Sequence, residues 1–146
     1  MSRKPRLYYS EEPVKKHIEK SLDHALRIII ASGSIPVLIK SIQLGVNSRD
    51  CFFDHIKRRG KYNPELCEFS ISLKEQQWQN DLFLRMKNKY AQLVIIEPKK
   101  VQCPRGRCTA DINGVPVFRD TEHITDYASY QFARIYLQHY QNPLKG

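Results

Sequence analysis

The order of elements limits this chain more than any other feature. Twice, an amphipathic helix runs directly into a short apolar strand. Val14, Ile18, Leu22, Ala25, Leu26 and Ile29 recur at three- and four-residue steps, which gathers side chains on one helical face. Ser10 is placed to cap that helix, Glu11 and Glu12 suit its first turn, Pro13 is tolerated there, and Gly33 ends it. "IPVLIKSI", Ile35 to Ile42, follows as a strand with Pro36 near its start, where a missing N–H does least harm. The second unit opens on "SLKE", Ser72 to Glu75, a capping box. Trp78, Leu82 and Met86, joined by Phe83 and Tyr90, give its helix an apolar face. "LVIIE", Leu93 to Glu97, is then a continuous apolar run of the kind buried on both faces of a parallel sheet. Two such units in a row predict an open α/β sheet with crossover connections.

Around this frame lie three further segments. From about Gln43 to Ser70 the pattern is irregular, and a loop this long in a compact domain is usually functional or tied down. "CTADINGVPVF" reads as a hairpin, with Asn113-Gly114 as a type I′ turn and Pro116 confining its second strand to an edge. A last helix is expected from near Thr125, with Ala128, Phe132, Ile135 and Tyr136 inward. The 146 residues suffice for one domain with a real core. No apolar run approaches the roughly 20 residues of a membrane span. The start, "MSRKPRLYYSEEP", lacks the apolar stretch of a secretory signal.

The four cysteines fall as two close pairs, Cys51 with Cys67 and Cys103 with Cys108. Even pairing at short separation favours disulfides in an oxidising compartment. A zinc site is the rival, but its usual Cys-x2-Cys or paired-histidine spacing is missing. The want of a signal peptide argues against export of the chain by itself. His17, His24, His55 and His139 have no ligand spacing and read as surface, so neither metal nor cofactor is expected. The net charge of +9 suits an acidic partner, although the basic residues are scattered. Their densest cluster, Lys57, Arg58, Arg59 and Lys61, lies beside Phe52, Phe53 and Tyr62. Such a set suits phosphate contact and base stacking, so a small nucleic-acid-binding module is one reading of the chain, although it carries no known nucleic-acid motif.

A different reading comes from the end of the chain. The strand "LVIIEP", the pair "CPRGRC", the hairpin "TADINGVPVF", then "DTEHIT" and the small pair "AS" occur in that order. This order resembles the C-terminal part of an SGNH hydrolase domain, of the kind fused to membrane acyltransferase family 3 modules that O-acylate lipopolysaccharide and other surface glycans. "SLKEQQWQND", Ser72 to Asp81, also resembles the helix start before the penultimate strand of those domains. The resemblance covers roughly residues 14 to 138. It implies a partial flavodoxin-like, three-layer α/β sandwich with parallel strands, a C-terminal hairpin and a helix, all in a single partial domain over 1–146. It also implies that His123 is a general base and Asp120 its orienting acid. That assignment suits acyl chemistry. A serine hydroxyl is a weak nucleophile until an imidazole takes its proton, and the imidazole needs an acid on its other nitrogen.

The family's remaining blocks are not found: no serine follows an apolar strand in a Gly-Asp context, and Asn47 and Asn80 lack the expected Gly partner. Ser32 and Ser34 flank Gly33 at a helix end. The expectation is therefore that the serine lies outside this sequence. The chain would be a fragment, a truncated gene product or an inactive structural descendant, with an unpaired sheet edge where the first strands are missing. The resemblance implies surface polysaccharide or another acyl-carrying substrate, and an N-terminal membrane acyltransferase module as partner. It implies the periplasmic side of the inner membrane as part of a longer protein, or the cytoplasm if the chain is made alone.

Overall fold

The computed structural model describes residues 12–42, 48–57, 61–71, 77–120 and 123–145. Contacts divide the chain into two compact units, Met1–Val37 with Trp78–Val94, and Leu38–Gln77 with Ile95–Gly146.

The first unit is built on helices α1 (Glu12–Ala31) and α3 (Gln77–Lys89). Leu26, Leu82, Met86 and Leu93 form its buried set. Of the expected face of α1, Val14, Ile18 and Leu22 are half-buried, but Ala25 and Ile29 are exposed. Beside the core runs a ladder of charges. The Arg85 guanidinium donates to both oxygens of Glu19 at 3.0 and 2.9 Å. One turn further along both helices, Lys89 and the Tyr90 hydroxyl donate to Asp23 at 2.6 and 2.7 Å. Partners rise together along the two helices, so α1 and α3 run parallel. Gly33 takes a positive φ of 81° just past α1. Its N–H donates to the Ile30 carbonyl at 3.0 Å and that of Ser34 to Ile29 at 3.2 Å, a Schellman closure. The caps expected at Ser10 and at Ser72–Glu75 lie outside the described residues.

Strands β1 (Val37–Ile39) and β3 (Val94–Ile96) pair with each other. The Val94 N–H donates to Pro36 at 3.0 Å and the Lys40 N–H to Ile96 at 2.9 Å. The bonds advance in the same sense along both strands, the parallel arrangement expected of helix-strand units. β1 is much shorter than the Ile35–Ile42 run. Pro36 has no N–H to extend it, and pairing stops at Lys40. β3 is half-buried rather than buried on both faces.

The second unit holds the rest. The stretch 43–70, expected to be irregular, is a correction: it carries helix α2 (Ser48–Lys57), a 3-10 turn over Pro64–Cys67 and strand β2 (Phe69–Ser70). The 3-10 turn starts at Asn63, whose side chain accepts from the Glu65 N–H at 3.1 Å, with Pro64 next. α2 escaped the sequence reading because its apolar stripe, Phe52, Phe53 and Ile56, is little more than one turn long. Disulfides join Cys51 to Cys67, across α2 and that turn, and Cys103 to Cys108. The second bridge starts just after the short helix α4 (Lys99–Gln102) and spans a 3-10 turn and strand β4 (Arg107–Cys108), which pairs antiparallel with β2 through Phe69–Cys108 and Ser70–Arg107. Strands β5 (Asp111–Ile112) and β6 (Val115–Pro116) form the hairpin. Asn113 and Gly114 both have positive φ, 52° and 80°, as a type I′ turn demands. Helix α5 (Asp126–His139) closes the chain. Its Ala128 and Phe132 are buried with Val117 and Phe118, and Ile42, Phe69, Val101, Ile112 and Ile124 pack around them. Helices combined with small parallel and antiparallel sheets make this a mixed α/β chain consistent with a partial SGNH-like fold.

Candidate active site

Thr125 fixes the start of α5. Its hydroxyl accepts from the Ala128 N–H at 3.2 Å and donates to the Pro116 carbonyl at 3.0 Å, so one side chain caps the helix and ties it to the hairpin. The Thr125 N–H donates to Val117 at 2.8 Å, Phe118 bridges Ile124, and the Arg119 N–H donates to His123 at 3.0 Å. The segments 117–119 and 123–125 thereby lie side by side, antiparallel, and Asp120 and His123 stand at their joined end.

There the Asp120 carboxylate meets His123 twice. Oδ1 accepts the His123 backbone N–H at 2.7 Å. The ring Nδ1 lies 2.9 Å from Oδ1 and 3.0 Å from Oδ2. An ionised carboxylate only accepts, so the ring donates through Nδ1, and in the neutral imidazole of that tautomer the lone pair is on Nε2. The side chains are open to solvent, 61% for His123 and 37% for Asp120. Arg119 Nε stands 3.6 Å from Asp120 Oδ2 and holds negative charge there. Glu122 and Thr121 lie outside the described residues.

Ile124, the next residue, opens onto an apolar pocket of about 530 Å³ lined by Ile39, Ile42, Ile96, Phe132 and Leu137 among others. Lys40 and Ser129 are polar members of its wall. Lys40 pairs with Glu97, which also faces Lys100 at 3.5 Å. Burial would raise the Glu97 carboxyl, but the ammonium groups of Lys40 and Lys100 hold it below its usual value. Burial, and then the like charge of Lys40, lower Lys99. The sequence reading missed this pocket. Its signal was present in Ile39, Ile42 and Ile96, at the carboxyl ends of both strands, but those residues read as core.

The other candidates do not converge. His17, His24 and His139 are exposed on α1 and α5, and the His55 side chain is outside the described set. Among the described residues no three His, Cys, Asp or Glu side chains gather as metal ligands. Of the basic cluster, Arg58 and Arg59 are outside the described residues. Its aromatics pack on one another, Phe52 edge-on to Tyr62 at 4.8 Å and to Phe53 at 5.6 Å, rather than forming an open stacking platform. Burial, with the nearby Asp111 carboxylate, pushes the Tyr62 phenol up to about 12.

A family model described as an SGNH domain (fused to AT3 domains) matches residues 2–138. The chain belongs to this family. No curated protein and no solved structure matches it. Membership makes this a domain of hydrolase- or acyltransferase-like type, and the family's fusion to AT3 domains sets it in a membrane-protein context. Among the described residues no helix is long and apolar enough to cross a membrane.

Proposed function

We propose that the chain is the C-terminal portion of an extracytoplasmic O-acyltransferase or esterase domain, one that acts on acyl groups of cell-surface glycan such as lipopolysaccharide. Within it His123 is the general base, Asp120 orients it, and a serine from outside this sequence is the nucleophile. The carrying observation is the Asp120 carboxylate within 2.9 and 3.0 Å of His123 Nδ1, which leaves Nε2 to the chemistry. In the forward step Nε2 takes the serine proton while Oγ attacks the acyl carbonyl. Collapse of the tetrahedral adduct breaks the bond to the donor oxygen, and the imidazolium returns the proton to that leaving group. A glycan hydroxyl, or water, then gives its proton to Nε2, attacks the acyl-serine and regenerates serine. Asp120 stabilises the imidazolium in both halves. The partner is the membrane acyltransferase module of the longer protein, on the periplasmic side. The matched chain is one partial domain, and its mechanism needs no cofactor.

The test uses the longer polypeptide that carries the serine. His123→Ala should abolish acetyl incorporation into surface glycan. Asp120→Asn should lower it severely, since the same exchange of acid for amide costs roughly 10⁴ in serine proteases. Glu122→Gln should keep it. Wild-type transfer in His123→Ala, or equal harm from Glu122→Gln and Asp120→Asn, refutes the assignment. The 146-residue chain by itself should turn over p-nitrophenyl acetate no faster than its His123→Ala variant.

A further inference from the structure

Helix α2 and the 3-10 turn over Pro64–Cys67 take no part in the Asp120–His123 chemistry. The Cys51–Cys67 bridge joins them, with Cα atoms 5.8 Å apart. Within this element Phe52 packs edge-on against Tyr62, ring centres 4.8 Å apart. Three other large apolar side chains are left in solvent: Phe53 is 44%, Ile56 51% and Leu66 68% exposed. Phe53, Ile56 and Lys57 follow at three- and four-residue steps and share one face of α2. By the same helical spacing Asp50 and Asp54 fall on the flank away from Ile56. Lys57 and Lys61 are exposed. Among the described residues no carboxylate pairs with either of them. Exposed apolar side chains gathered on one small element mark a contact surface.

We propose that α2 and the bridged turn form a docking face for an anionic bilayer surface. Phe53, Ile56 and Leu66 enter the boundary between headgroups and acyl chains, and Lys57 and Lys61 lie among the lipid phosphates. The 10 residues of α2 make it about 15 Å long, half of a hydrocarbon core, so it lies on the bilayer and does not cross it. The +9 charge of the chain draws it to an anionic surface, and the family's fusion to AT3 domains supplies the membrane-protein context. Nucleic acid would suit the same cations but not the same side chains. Phe52 and Tyr62 are engaged with each other, and Ile56 and Leu66 offer no ring for a base to stack on. The face does not depend on Asp120 or His123, so its failure leaves the catalytic reading untouched.

The experiment sediments the 146-residue chain, with both disulfides intact, together with vesicles. One set is phosphatidylcholine alone, the other phosphatidylcholine with an equal part of phosphatidylglycerol. Binding to the anionic set should be tighter by about tenfold or more. Ile56→Ser combined with Leu66→Ser should weaken it roughly tenfold at unchanged net charge. Both residues are exposed, so the thermal melt of that variant should match wild type. Lys57→Gln combined with Lys61→Gln should weaken binding about thirtyfold. The same loss of charge on α1, Lys16→Gln with Lys20→Gln, should weaken it no more than about threefold. His123→Ala should bind as wild type does. Unchanged binding in the apolar variant, or equal weakening by the α1 pair, would reduce the effect to overall charge and overturn the proposal. So would tighter binding of polyuridylate than of vesicles, lost in Phe53→Ser, which would make this a face for single-stranded nucleic acid. Failure to sediment with the anionic set overturns it outright.

Discussion

The two units use different means to hold similar amounts of helix. The first has no cysteine; its small apolar core is flanked by exposed charges, Glu19 with Arg85 and Asp23 with Lys89. The second carries both disulfides, and its core of Val117, Phe118, Ala128 and Phe132 packs against Ile124, the neighbour of His123. Exposed ion pairs respond to salt and pH, and covalent bridges respond to reductant. The candidate site therefore sits in the unit that carries both disulfides. That suits the extracytoplasmic setting proposed for it.

The largest expected effect separates the units directly. Replacing all four cysteines by serine should cost the second unit about 5 kcal/mol in the chain-entropy account, about 3 for the longer loop and about 2 for the shorter. Hydrogen exchange read residue by residue should show protection lost in 48–71 and 97–139, with the amides of α1 and α3 losing less. Equal loss in both units would mean that they unfold as one and would break the comparison. Next in size, Leu82→Ala should cost roughly 3 kcal/mol, because a fully buried leucine leaves a cavity. Its exchange signature should be the reverse, with α1 and α3 opening first.

A third contrast is in pH and salt. Hydrogen bonds from Lys89 and Tyr90 lower the Asp23 carboxyl, and the Arg85 bond lowers Glu19. Their folded values lie below the unfolded ones, so their contribution is full above the usual carboxylate range and is lost as pH falls through the lowered values. The bond to Asp23 raises Lys89, and burial followed by the Asp23 bond raises Tyr90. Those contributions are full below the unfolded values and are lost as pH rises through the raised ones. The first unit should thus lose protection as pH falls through the lowered Glu19 and Asp23 values, and sooner in high salt. A melt of the Asp23→Asn variant should flatten this acid limb. An unchanged limb would assign it to other carboxylates.

The same contrast explains what the sequence disclosed. α1, α3 and α5 were legible because long periodic apolar faces dominate their residues, and Asn113-Gly114 fixed the hairpin because few residues accept two positive φ values in a row. α2 was not legible: Phe52, Phe53 and Ile56 share one face but span little more than one turn, and its order comes with a disulfide to a turn beyond it in the chain. The Asp120–His123 pair could be named through the resemblance of the chain's end to the SGNH family, since Asp-x-x-His spacing by itself occurs in many chains. The pocket could not, because an apolar residue at a strand end looks the same whether it lines a core or an opening.

The smallest expected effects lie within the site and divide its two residues. Asp120 accepts the His123 backbone N–H as well as the ring, so it shapes the turn that it serves. Asp120→Ala should cost about 1 kcal/mol, comparable to losing a helix cap. The His123 ring is mostly exposed and, apart from Asp120, no hydrogen-bonded partner holds it among the described residues, so His123→Ala should change stability by no more than about 0.5 kcal/mol. Asp120→Asn should fall between them, because the amide oxygen still accepts the backbone N–H. Urea melts of the three variants give that order. If His123→Ala is the most destabilising, the ring is part of the packing that holds the turn, and loss of transfer in that variant no longer speaks for a general base.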